Sequence, residues 1–271
     1  MNYIDWLLDI FVFLFGLCVG SFLNCFIYRL EQKKKITGRS FCPHCKHTLK
    51  WQDLIPVLSF LFLRGKCRYC GKKISTQYPL VEIATGLIFL LILNHSTERF
   101  ALVLGQNNYL QIIVLVFSLA FWFYVASSLI IIFIYDLKHY LIPDKVLFPA
   151  IIITFFYNLF VNFSLIANFL IAVVIASGFF LTIFLVSKGK WMGFGDVKLA
   201  VLMGLLLGVK NALVALFLAF FLGAVVSIIL IILNRKKLKS EIPFGPFLIA
   251  GTFLAMFWGQ PIFLWYLNMF V

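Results

Sequence analysis

Long apolar runs, joined by short polar stretches, dominate the chain. A run must hold roughly 17–25 residues, at about 1.5 Å rise each, to cross a bilayer as a helix. The pattern predicts eight such runs: 6–28, 79–95, 109–134, 146–163, 165–187, 196–209, 211–233 and 244–268. The sixth is short, but fusing it with the seventh gives a helix far too long for one crossing. Gly208, Lys210 and Asn211 provide the break between them. The first run is not a secretory signal, because its start carries Asp5 and Asp9 and no Lys or Arg. It is expected to be a permanent helix whose start lies outside. No internal repeat or low-complexity linker is apparent.

Composition removes the soluble alternatives. Of the 271 residues 63% are apolar and 12% charged, against about 45–50% and about 25% in soluble domains. More apolar side chains are present than a soluble core of this size buries. The net charge of +13 could suggest nucleic acid, but its distribution assigns it elsewhere. With eight alternating spans and the start outside, every Lys and Arg except Arg99 and Lys210 falls on the inner side. They cluster between Arg29 and Lys73, recur at Lys138, Lys145, Lys188, Lys190 and Lys198, and close with Arg235, Lys236, Lys237 and Lys239. Basic residues beside membrane spans favour the cytoplasm. The charge is therefore topological, and no nucleic-acid partner is expected. Both termini are expected outside, with one sizeable polar segment, 30–78, in the cytoplasm after a first transmembrane helix at 1–29. The predicted fold is an all-α polytopic membrane protein of about eight transmembrane helices, with a small cytoplasmic zinc-knuckle lobe between the first two.

That lobe is expected from four cysteines. Cys42 and Cys45 form one C-x2-C pair, and Cys67 and Cys70 a second. Each spacing lets a tight turn present two thiolates to one tetrahedral Zn(II), with Zn–S near 2.3 Å. Four sulfurs complete the shell, so the site is expected to be structural. Cytoplasmic thiols are kept reduced, which argues against disulfides. His44 and His47 stand beside the first pair, but four cysteines leave them no vacancy. Cys18 and Cys25 lie within the first span and read as small apolar residues. The run Asp53–Leu58 is expected to pass from helix to turn, packing on the lobe or the membrane surface.

Only ten acidic residues occur. Asp5, Asp9 and Glu98 fall near outer span ends, and Glu31, Asp53 and Glu241 lie in inner loops beside basic residues; solvation or surface pairing accounts for these. Asp136, Asp144, Asp196 and Glu82 remain. Asp136 ends the third span and Asp196 opens the sixth within Gly193-Phe194-Gly195-Asp196-Val197-Lys198. The third span runs inward and the sixth outward, so both carboxylates reach the cytoplasmic face. Two carboxylates at one depth near lipid relieve their repulsion by sharing a proton, as in aspartic proteases. The glycines around Asp196 leave room for an extended substrate. An isolated Asp196 could instead favour a helix N-terminus, but topology and context favour the pair.

With these residues in view the chain resembles the prepilin peptidases, or type IV leader peptidases, over nearly its whole length. The likeness runs through Gly20-Ser21-Phe22-Leu23-Asn24 with Tyr28-Arg29, the paired cysteines, Asp53–Ser59 and Gln77–Glu82. It continues through Asp136, Leu141-Ile142-Pro143-Asp144, the Gly-x-Gly-Asp motif at Asp196 and Pro243-Phe244-Gly245-Pro246. The resemblance implies an eight-span aspartic endopeptidase of the bacterial plasma (inner) membrane, with residues 79–271 as the membrane-embedded peptidase domain. Such enzymes remove the basic leader of prepilins and pseudopilins on the cytoplasmic side, between Gly and usually Phe. Members with the cysteine lobe often methylate the new N-terminus from S-adenosylmethionine.

Asp136 and Asp196 match the family's catalytic pair. Asp144 is expected to cap the helix of the fourth span. Lys198 is expected either to tune the pair or to neutralise Asp196. Glu82, less than two turns into a span, is expected to meet S-adenosylmethionine or the substrate amine, unless it pairs with a loop Lys. Asn24 is expected to serve helix packing and Arg29 to anchor the topology. Other readings fit less well. Acids of proton-coupled transporters lie near the midplane of broken helices, a bare scaffold has no use for the pair, and a preflagellin-type peptidase does not require the cysteine lobe.

Overall fold

The computed structural model describes residues 3–35, 37–101, 109–233 and 242–269, with side chains described for 6–35, 37–96, 113–233 and 242–269. The basic run at Arg235–Lys239 and Glu241 lie outside the described residues, as do the side chains of Asp5, Glu98 and Arg99. Eight α-helices occur among them: α1 (Tyr3–Glu31), α2 (Leu58–Phe62), α3 (Gln77–Ala101), α4 (Tyr109–His139), α5 (Asp144–Val161), α6 (Ile166–Ser187), α7 (Phe194–Ile232) and α8 (Gly245–Asn268). All but α2 are long and apolar enough to cross a membrane. Among the described residues β-structure is limited to two isolated bridges, Phe41–Thr48 and Lys66–Lys73. The chain divides inside α4 into two compact units, Met1–Ile131 and Ile132–Val271.

In the first unit α1 and α3 pack backbone to backbone. A Cβ on Gly16 would stand 2.7 Å from the Gly86 Cα, and one on Gly20 2.7 Å from the Glu82 Cα. Gly16 and Gly20 form a Gly-x-x-x-Gly pair, the small-residue seam that lets helices approach closely in lipid. Phe89 of α3 stacks on Phe123 of α4, ring centroids 4.1 Å apart. Beyond the membrane-length stretch, the chain is tied back by side chains. Asn24 Nδ2 donates to the Tyr78 carbonyl at 3.1 Å. The buried Arg29 guanidinium donates to the carbonyls of Gly38 (2.6 Å) and Arg39 (3.1 Å). Arg29 thus organises the loop after α1, a role beyond anchoring topology.

The second unit turns on α7. Its 39 residues would make a rod of about 58 Å, twice a hydrocarbon core. At Gly208 the backbone leaves the helix, at φ 69 and ψ 176. Neighbours on α6 give the directions of the two halves. Phe194 packs on Phe184, Gly204 on Val173 and Gly208 on Asn168, so the first half runs antiparallel to α6. Beyond the break Phe220 stacks on Phe180, so the second half runs parallel to α6. The helix therefore folds back on itself and supplies two passes, making eight.

The bend separates the Leu205 carbonyl from the Val209 N–H, partners in an unbroken helix. The buried Asn158 donates to the Leu205 carbonyl at 2.7 Å, and Asn168 Oδ1 accepts from Val209 N–H at 3.4 Å. Lipid offers such groups no water, so protein must satisfy them. α8 then runs antiparallel to the second half of α7, Gly251 against Ala215 and Ala219, and Gly259 against Asn211. Phe244, just before α8, packs on Phe220 and Phe180.

Candidate active site and metal centre

The cysteine lobe is built from two turns of the same design. Cys42 N–H donates to the His47 carbonyl and Lys46 N–H to the Cys42 carbonyl; Cys67 N–H to Lys72 and Gly71 N–H to Cys67 repeat both bonds. Lys46 (φ 60) and Gly71 (φ 67) take the same left-handed conformation at matching places. The two C-x2-C pairs thus fold as a short structural repeat. The four Sγ atoms lie within 4.8 Å of one another, with Cys42 and Cys70 at 4.0 Å. A tetrahedral ion with metal–sulfur bonds of about 2.3 Å needs edges of about 3.8 Å. The four thiols therefore fit one metal ion. His47 lies outside this set and stacks on Tyr69, centroids 3.7 Å apart. Asp53 cross-links the lobe, accepting from Lys50 N–H (3.1 Å), Arg68 Nε (2.7 Å) and Tyr69 hydroxyl (3.1 Å).

In the second unit Asp136, near the end of α4, and Asp196, in the first turn of α7, are both buried and lie within range of each other's charge. Each is held by a helix start. Asp196 is the third residue of α7; its carboxylate accepts the Gly193 N–H, while its own N–H donates to the Gly193 carbonyl at 3.2 Å. Asp136 accepts the N–H of Gly245, first residue of α8. Helix N-termini favour negative charge and carry unsatisfied donors. Ile142 fills the space between, packing against Gly195 and Gly245. A Cβ on Gly245 would overlap the Asp136 carboxylate, so only glycine permits this approach. Two buried carboxylates within range of each other's charge, each with one backbone donor among the described residues, suit general acid–base hydrolysis of an amide.

Known proteins share this arrangement of sequence. Residues 14–96 match the Bacterial Peptidase A24 N-terminal domain, and residues 123–228 match the Type IV leader peptidase family. A prepilin leader peptidase/N-methyltransferase of Aeromonas hydrophila is 32% identical over 300 residues, covering 99% of this chain and 97% of that protein. Proteins of the same name from Legionella pneumophila and Bacillus subtilis are each 33% identical, covering 99% and 95% of this chain and 97% of their own lengths. The chain belongs to the type IV leader peptidase family. No solved structure matches it.

Two assignments within this leader peptidase change. Asp144 does not cap α5 through its side chain. Pro143 occupies the N-cap position, and both Asp144 oxygens bind Lys198 Nζ, at 2.8 and 2.9 Å. Lys198 accordingly has Asp144, and not Asp196, as its direct partner. It is spent on Asp144, over the rings of Phe148 and Phe194, and joins the starts of α5 and α7. Sequence reasoning did not give Gly245 a role. The signal was Pro246 beside it, since proline in the first turn marks a helix start.

Glu82 is buried at the α1–α3 crossing. Its Oε2 accepts the Val57 N–H at 2.7 Å, and Ser21 bonds its side chain. Val57 lies at φ 60 and ψ −50, and the Leu58 N–H reaches the Pro56 carbonyl at 2.5 Å, closing a γ-turn. For a β-branched residue this conformation is strained by roughly 1–3 kcal/mol.

Proposed function

We propose that this leader peptidase cuts prepilins and pseudopilins after their basic leader, at a Gly–Phe type bond, with Asp136 and Asp196 as the catalytic pair, and then methylates the new N-terminus. The observation that carries this is the pairing of the two buried carboxylates, one from α4 and one from α7. In the working state they hold one proton. The ionised member takes a proton from water as the water oxygen attacks the scissile carbonyl carbon. The protonated member gives its proton to the carbonyl oxygen. The tetrahedral diol then collapses: the C–N bond breaks, the amine leaves with the proton taken from water, and one diol hydroxyl gives its proton to the other carboxylate, so that the pair again holds one proton. Gly193 and Gly245 N–H groups hold the two carboxylates in place throughout.

The four thiols are proposed to hold structural Zn(II), which takes tetrahedral sulfur sites of this size. Bound S-adenosylmethionine would supply the methyl group. Glu82, an acid at the first unit's helix crossing, is assigned to the cation at that step, either the sulfonium or the substrate ammonium. The protein would lie in the bacterial plasma membrane with both termini outside and the pair facing the cytoplasm, as the basic residues favour.

The test is purified protein in detergent with a prepilin segment and S-adenosylmethionine, reading product masses. Leader loss and one methyl gain are expected. Asp136→Asn and Asp196→Asn should each lower cleavage by roughly 10²–10⁴-fold or more with insertion unchanged. Robust cleavage by either variant would sink the aspartic mechanism.

A further inference from the structure

The Val57–Glu82 bond sets the depth of a lobe segment that otherwise has no business inside a membrane. Glu82 lies five residues into α3, about 7–8 Å along the axis from Gln77. The span 77–96 has 20 residues, about 30 Å, no longer than a hydrocarbon core is thick. The level of Glu82 therefore falls within that thickness. The surface of the helices marks it too. Leu80 on α3 is 64% exposed and Phe22 on α1 is 57% exposed, and Ser21, next to Phe22, bonds Glu82. These are side chains turned to lipid. Val57, bonded to Glu82 at 2.7 Å, shares their level. A loop N–H at that depth needs an acceptor other than water, and the buried carboxylate is that acceptor.

The side chains around this pin are apolar and uncovered. Leu54, Ile55 and Leu58 are exposed, Leu61 is 63% exposed and Phe62 83%. Exposed Arg64, Lys66, Lys72 and Lys73 follow. An apolar tip with a basic collar suits the boundary between acyl chains and anionic headgroups. We infer that residues 54–62 form an arm that dips into the bilayer, with Leu58, Leu61 and Phe62 in lipid, and holds the cysteine lobe down on the membrane surface.

The experiment uses the full chain in nanodiscs containing anionic lipid, with Phe62→Trp read as the difference from wild type. Leu61→Trp serves as a second position. Retained cleavage shows that each variant is folded. The added tryptophan should emit in the blue and lose roughly half its emission or more to lipids brominated near the glycerol end of their acyl chains, while resisting aqueous iodide. Iodide quenching without bromolipid quenching, in active protein, would overturn the proposal. Shielding that appears only when an apolar helical peptide is added would also overturn it, and would assign the arm to a peptide partner.

Discussion

Asp53 and the Asp136–Asp196 pair are carboxylates of one chain treated in opposite ways. Asp53 is saturated: a backbone N–H, a guanidinium and a phenol all donate to it, and its side chain is 4% exposed. Burial pushes its pKa up, but the Lys50, Tyr69 and Arg68 donors outweigh that, and the value ends below the ordinary carboxylate range. Asp136 and Asp196 each accept one backbone N–H among the described residues. On the proposed mechanism their other oxygens serve water and a substrate carbonyl. A carboxylate with every oxygen engaged holds structure together; one pinned at a single point is positioned and still able to react. The supports differ to match. Irregular turns bound by side chains build the lobe, whereas the pair is supported by the backbone of helix starts, which packing makes rigid.

The harshest way to break this contrast is to remove what the lobe depends on. Cys67→Ser should abolish metal binding, worth on the order of 10 kcal/mol or more to a small lobe. Fast hydrogen exchange over 40–75 with intact spans is the expected result. Slow exchange there, or protein with reduced thiols and no metal, would remove the claim.

On the other side, Gly245→Ala leaves both acids in place but forces the Asp136 carboxylate aside. Displacements of about 1 Å can lower turnover by about 10²-fold. Turnover should fall on that scale with KM little changed, while Gly178→Ala, where a Cβ meets nothing within 4 Å, should leave it alone. Equal activity in the two variants would show that the Gly245 contact does not position the acid.

The smallest effect concerns Asp53→Asn, about 1 kcal/mol in lobe stability, since Arg68 is half exposed. A carboxyl with a depressed folded pKa stabilises above its unfolded value and loses that contribution as pH falls through the folded one. The difference between variant and wild type in exchange over 40–75 should thus stay constant from about pH 5 to 8 and shrink only below about pH 4. A difference that vanished near neutrality would mean Asp53 is not the charged hub of the lobe.

Much of this architecture was legible because lipid simplifies the code. Eight apolar runs, the break at Gly208, the cysteine spacing and the shared face of Asp136 and Asp196 all follow from periodicity and parity of crossing. The features that escaped reading depend on contacts between distant segments. Nothing local to Lys198 says that it serves Asp144 rather than Asp196, which stands two residues away. Gly245 looks like part of a helix start until α4 brings Asp136 against it. Val57 carries no mark of a left-handed conformation, since its neighbour Glu82 imposes it from another helix.

The bend at Gly208 carries a consequence for how the protein is made. A chain that crosses an even number of times returns to its starting side, and one that crosses an odd number does not. Gly208 therefore acts as a parity bit for everything after it. Were α7 to insert as one rod, α8 would begin at the opposite face, and Asp136 would lose the Gly245 donor without any residue of the site being touched. The two asparagines that bind the severed carbonyl and N–H make the bend the comfortable choice, while Arg235–Lys239 beyond it resist transfer across the bilayer. The meeting of Gly245 with Asp136 is thus decided partly at the moment of insertion, by a bend that lies about three turns along α7 from Asp196.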